Sequence, residues 1–99
     1  MNARIVVDLY AEDRGYGSSV GCLVKVRDMA WLPPFSDEVS ATARFSLAGR
    51  QFSAFKTAVV WDDPSGLYEI HWRCLTKLAP TECQKLFDAS IQSGDWKKF

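Results

Sequence analysis

The sequence predicts an α+β domain: an antiparallel sheet of about five strands covered by one C-terminal helix, in the order β-β-β-β-β-α. Three observations carry that expectation. Several stretches alternate apolar and polar residues with the period of two that a half-buried strand requires. Glycine, proline and aspartate clusters punctuate them at turn-like positions. Only after Pro80 do the apolar residues change to helical spacing.

The first strand covers residues 3–10, with Ala3, Ile5, Val7 and Leu9 on one face and Arg4, Val6, Asp8 and Tyr10 on the other. Residues 12–18 supply a turn, and the alternation resumes at 19–28 with Val20, Cys22, Val24 and Val26 facing one way. Residues 28–40 break the pattern, because Pro33-Pro34 fits neither a central strand nor a helix interior. That segment also holds Trp31, Leu32 and Phe35, so it either folds over the sheet or offers an apolar, proline-stiffened surface. Residues 41–47 alternate again, with Ala41, Ala43, Phe45 and Leu47 inward, and Gly49 suits the positive φ of a tight hairpin turn.

The next strand is expected over 52–61, the Asp62-Asp63-Pro64-Ser65-Gly66 turn after it, and the last strand over 67–75. Pairing Trp61 with Tyr68 places Phe55, Thr57, Val59 and Trp61 on the same face as Tyr68, Ile70, Trp72 and Cys74. A slip of one residue would bury Glu69, His71 and Arg73 unpaired, at a cost of roughly several kcal/mol. This register sets Val60, Ala58 and Lys56 beside Glu69, His71 and Arg73. Thr81-Glu82-Cys83-Gln84 reads as a capping box, followed by the apolar stripe Cys83, Leu86, Phe87 and Ile91 and a stop at Ser93-Gly94. The tail Asp95-Trp96-Lys97-Lys98-Phe99 either docks or frays. Five strands under one helix leave open a flat layer or a curled, half-open barrel.

Residues 1–99 make one domain by length, and 47% hydrophobic content is enough for one core. The 12 basic and 12 acidic residues divide evenly between the two halves of the chain, six of each sign in each. No basic stripe marks a nucleic-acid surface; such binding would need Arg4, Lys25, Arg27 and Arg44 to converge beside exposed aromatics. No apolar run reaches membrane-spanning length and no secretory leader is visible, which points to a cytoplasmic location. Cys22, Cys74 and Cys83 match no disulfide or zinc spacing and read as small hydrophobes.

The candidate chemistry is sparse. His71 stands between Glu69 and Arg73 on the outward face of the last strand, a possible acid/base or anion-binding cluster as well as an ordinary solvated strand face. Asp62-Asp63 offers too few carboxylates for a metal site, and Gly15-x-Gly17 lacks the Gly-Lys-Ser/Thr and the helix of a phosphate loop. No cofactor or metal is expected. The sequence therefore favours a small non-catalytic module that binds a small molecule or a protein partner, with a homodimer expected and Trp31, Phe35, Trp61 and Trp72 as binding residues. The alternative is a small enzyme using His71 with Glu69 and Arg73.

Overall fold

In the computed structural model, which describes residues 2–28 and 42–99, the strands are β1 (Asn2–Asp13), β2 (Tyr16–Asp28), β3 (Thr42–Leu47), β4 (Arg50–Asp62), β5 (Leu67–Leu75) and β6 (Lys97–Lys98). Helix α1 (Pro80–Gln92) lies between β5 and β6. The described residues form one six-stranded sheet in the order β3-β4-β5-β1-β2-β6. Trp31 and Phe35, with the rest of 29–41, lie outside the described residues.

Two local antiparallel pieces build this sheet. The β1–β2 hairpin turns at Arg14-Gly15, and β3–β4–β5 form a meander with turns at Ala48-Gly49 and 63–66. Ala48 and Gly49 both take positive φ, as a two-residue hairpin turn matched to strand twist requires. The two pieces meet where β1 and β5 pair in parallel, with Ile5 beside Ile70, Val7 beside Trp72 and Leu9 beside Cys74. The sheet is therefore mixed, and the expectation of a purely antiparallel one is corrected. The reason is non-local: β5 returns alongside β1, and no neighbouring residues encode that direction.

The core lies between one sheet face and α1. Ala3, Ile5, Val7, Leu9, Leu23, Ile70, Trp72 and Cys74 meet Cys83, Leu86 and Phe87 of the helix. Helix α1 starts at Pro80, with Ala79 as an N-cap lacking a side-chain bond. The capping box at Thr81 is thus not used, because proline already suits the first helical position with its preset φ and missing donor. Ser93 and Gly94, the latter at φ 83°, end the helix where expected.

Two bulges correct the facing of side chains. Pairing shifts between Leu9/Tyr10 so that Leu9 faces Gly21 and Tyr10 faces Ser19, leaving Val20 as the extra residue. Past it, Leu23 and Lys25 join the helix side, while Cys22, Val24 and Val26 lie opposite Asp8, Val6 and Arg4 on the open face. In β4 the Trp61–Tyr68 pairing stands as expected, but a second shift at Thr57 sets Phe55, not Lys56, beside Arg73. Lys56 lies opposite Trp72.

The tail docks. Trp96 is 1% exposed, its Nε1 donates to the Ser46 carbonyl at 3.1 Å, and Lys25 Nζ sits 4.0 Å over its ring. Lys97 and Lys98 pair with Val24 and Leu23 as a sixth strand, which the sequence reading did not include. The edges of a flat six-stranded sheet lie about 24 Å apart, beyond the reach of one indole. The Trp96–Ser46 bond therefore records a sheet curled around its helix, though it is open, with β3 and β6 as separate edges.

Gly21 is where the sheet and helix approach most tightly. Its φ is 145°, and a Cβ there would stand 3.0 Å from Cε2 and Cζ of Phe87. Gly21→Ala is expected to cost about 1–3 kcal/mol, read as a lower urea midpoint, and to cost less in a Phe87→Leu background that opens the space.

Candidate functional site

The face away from the helix carries the polar residues of β1 and β5. Parallel pairing brings Arg4 beside Glu69, Val6 beside His71 and Asp8 beside Arg73. Arg4 Nη1 contacts Glu69 Oε2 at 2.6 Å and Asp62 Oδ2 at 3.5 Å. The other carboxylate oxygen, Glu69 Oε1, lies 3.1 Å from His71 Nε2. Glu69 is itself mostly buried, so its charge is carried by two partners rather than by water. Together the four side chains form a chain Asp62–Arg4–Glu69–His71 across three strands.

Of the three residues singled out by alternation along β5, the structure joins two. Arg73 turns away, its guanidinium carbon 4.8 Å from the centre of the Tyr10 ring. Arg4 takes the cationic position next to Glu69, which only the parallel pairing of strands 65 residues apart could reveal. On the same face Ser19 Oγ donates to Asp8 Oδ1. Phe99, whose N–H donates to the Cys22 carbonyl, sets its ring edge-on to His71 at 6.3 Å. Cys22 lies on β2 and His71 on β5, with β1 between them, so Phe99 reaches across β1. Val6, at that level of β1, is 1% exposed although it lies opposite the helix.

The thiols are poor nucleophiles. Burial pushes Cys74 up to about 11, with Cys83 nearby adding to the shift. Burial also raises Cys83, partly offset by the Thr76 hydroxyl that points at its Sγ. Cys22 is half-buried, and desolvation followed by the Asp8 carboxylate raises its pKa. A thiol needs the opposite environment to become reactive.

The remaining sequence candidates separate. Trp61 is 52% exposed, packs edge-on against Tyr68 at 4.9 Å and donates from Nε1 to Asp63 Oδ1 at 3.3 Å. Trp72 is 7% exposed in the core, edge-on to Phe45, and its Nε1 lacks a hydrogen-bond partner. Asp62 accepts from Ser65 Oγ within its turn. Of the four basic residues that nucleic-acid binding would need to converge, Arg4 and Lys25 line one pocket beside β6. Arg4 is ion-paired on the open face, Lys25 and Arg27 follow the helix-side phase of β2, and Arg44 belongs to β3. Among the described residues no helix is long and apolar enough to cross a membrane.

Among the described residues, two pockets lie at the rims of the sheet. One of about 250 Å³ lies between the β1–β2 turn and the β5–α1 connection; one of about 330 Å³ lies beside β6. Neither is lined by His71. The sequence reading did not single out the first pocket as a site; its only signal was the Gly15-Tyr16-Gly17 stretch. Comparison with known proteins found no family model, no curated protein and no solved structure that matches this chain.

The raised thiols set a pH dependence. A thiol ionises near 9.0 in the unfolded chain but near 11 at Cys74, so the folded state holds the proton longer. Stability is then present below pH 9 and falls as pH rises from 9 towards 11. Urea midpoints across that range are expected to drop less steeply in Cys74→Ala than in the parent chain.

Proposed function

We propose that this chain is a small non-catalytic interaction module that pairs with a second copy of itself along β4. The observation that carries this is the exposed outer stretch of β4. Strand β3 pairs with Arg50–Phe55, and among the described residues no strand pairs with Ala58–Asp62 on the side away from β5. Ala58, Val60 and Trp61 are exposed there. A strand edge that exposes apolar side chains is a template for strand addition. Across a twofold axis near Val59, antiparallel pairing sets Ala58 of each strand beside Val60 of the other, so the exposed apolar side chains cover one another. At the opposite end of the sheet, β6 pairs with Leu23 and Val24 of β2.

Sedimentation velocity at increasing concentration is expected to show a monomer–dimer equilibrium. The double change Ala58→Glu with Val60→Glu should leave a monomer with an unchanged circular dichroism spectrum, because like charges would face across the axis. A parent chain that stays monomeric at the highest concentration overturns the reading.

A second reading, a small enzyme using His71 with Glu69 and Arg73, draws support from the 3.1 Å contact between His71 and Glu69. Weighing against it, Glu69 is shared with Arg4, Arg73 stacks on Tyr10, and Phe99 stands against the imidazole. The enzyme reading requires a substrate-dependent property that His71→Ala abolishes. A thermal-shift screen against metabolites, nucleotides and metals is expected to give the same hits for His71→Ala as for the parent chain.

A further inference from the structure

The open pocket between the β1–β2 turn and the β5–α1 connection gathers aromatic, aliphatic and charged residues: Tyr10, Tyr16 and Leu75 line it, with the acidic Glu12 and the basic Lys77. Gly17 forms part of the floor, where a Cβ would come 3.4 Å from the Tyr10 ring. Aromatic and aliphatic walls with a few polar groups are the composition of a small-molecule site. At about 250 Å³ it falls just under the roughly 300–1,000 Å³ of sites for drug-sized ligands. It is therefore sized for a small metabolite.

The side of the pocket formed by the β5–α1 connection is held by hydrogen bonds to β1. Lys77 has φ 59°, a left-handed conformation that is strained for a residue with a Cβ. A clasp on either side holds it there. Thr76 donates to the Tyr10 carbonyl from its N–H at 3.1 Å and its hydroxyl at 2.8 Å. The Leu78 N–H donates to the Thr76 hydroxyl at 3.2 Å, and the Glu12 N–H to the Leu78 carbonyl at 2.8 Å. Lys77 is thus pinned at the rim by bonds that tie the β5–α1 connection to β1. Arg73, stacked on Tyr10, fixes that ring as well.

We propose that this pocket binds a small aromatic zwitterion of the amino-acid class, its ring between the tyrosine and leucine walls, its carboxylate towards Lys77 and its ammonium towards Glu12. An ammonium and a carboxylate a few atoms apart match an acid and a base that line one rim, and a flat apolar group matches the walls. This site lies at the hairpin tip and does not depend on pairing along β4, so the two proposals stand or fall separately.

The test is titration of the ¹⁵N-labelled chain with L-phenylalanine, followed by NMR. Saturable shifts are expected at the amides of Glu12, Gly15, Gly17 and Lys77. Phenethylamine and phenylacetate, each lacking one charge, should bind about tenfold more weakly, as loss of one charge-assisted contact implies. Gly17→Val should block the floor. Lys77→Gly provides the control for folding: it relieves the left-handed strain, so the domain should be at least as stable, yet binding should weaken about tenfold or more. Absence of saturable shifts, shifts confined to another surface, or undiminished binding in a folded Lys77→Gly variant would each overturn the proposal.

Discussion

The parallel seam between β1 and β5 is the constraint on which the rest of the molecule depends. The β1–β2 hairpin and the β3–β4–β5 meander are each local, but neither can bury its apolar face alone. The seam joins them and puts β1 in the interior of the sheet. Ala3, Val7 and Leu9 are then sealed against the helix side, and Val6 is sealed on the other. Polar bonds lock the seam at both ends. The Arg4–Glu69 pair holds one end, and the Thr76 and Leu78 bonds to Tyr10 and Glu12 hold the other. Closing contacts between residues so far apart in sequence is costly in chain entropy. That these bonds cluster along the seam is the arrangement such a non-local junction requires.

The same constraint separates what the sequence makes legible from what it does not. Elements written locally were readable: the β5 boundaries, the turn at Gly49, the Trp61–Tyr68 register and the helix stop at Ser93-Gly94. The seam was not, because side-chain period gives the face of a strand but not the direction of its neighbour. The bulges were misread for a different reason. Around Val20 every second residue through Val26 is apolar, so an unbroken alternation looked satisfied. Yet Gly21, a glycine inside a strand, carried the signal of a bulge or close approach, and Phe87 packs where its side chain would be. Thr57 carries no such signal. At the helix start, Thr81 and Gln84 form a plausible cap, but Pro80 is one residue earlier and fixes the first turn.

The open face follows the same division. Glu69 and His71 were visible as a pair along one strand, since residues two apart share a face. Their true electrostatic partner, Arg4, crosses the seam and displaces Arg73 from the cluster. The result is a carboxylate satisfied on both oxygens and a guanidinium shared between Glu69 and Asp62. With Arg4 on one oxygen and His71 on the other, this carboxylate serves as a staple between β1 and β5. Reactive groups elsewhere are similarly committed. The two buried thiols are held protonated by desolvation, and Asp8 accepts from Ser19. Chemistry-bearing side chains are thus consumed in holding the sheet together, and the accessible features shift to its rims.

The tail decides which rim stays open. Trp96 enters the core on the helix side, and three residues later Phe99 reaches over the opposite face to His71. Between them Lys97 and Lys98 pair with Val24 and Leu23, so the chain straddles that edge and places two lysines on it. Short, lysine-bearing strands are how sheets discourage further strand addition. At the other edge, β3 spans only the first half of β4, and the second half carries Val60 and Trp61 into solvent. The proposed pairing of β4 with a second copy uses the same strand on both sides; such an isologous contact closes as a pair, whereas a contact between two different edges would propagate a fibre.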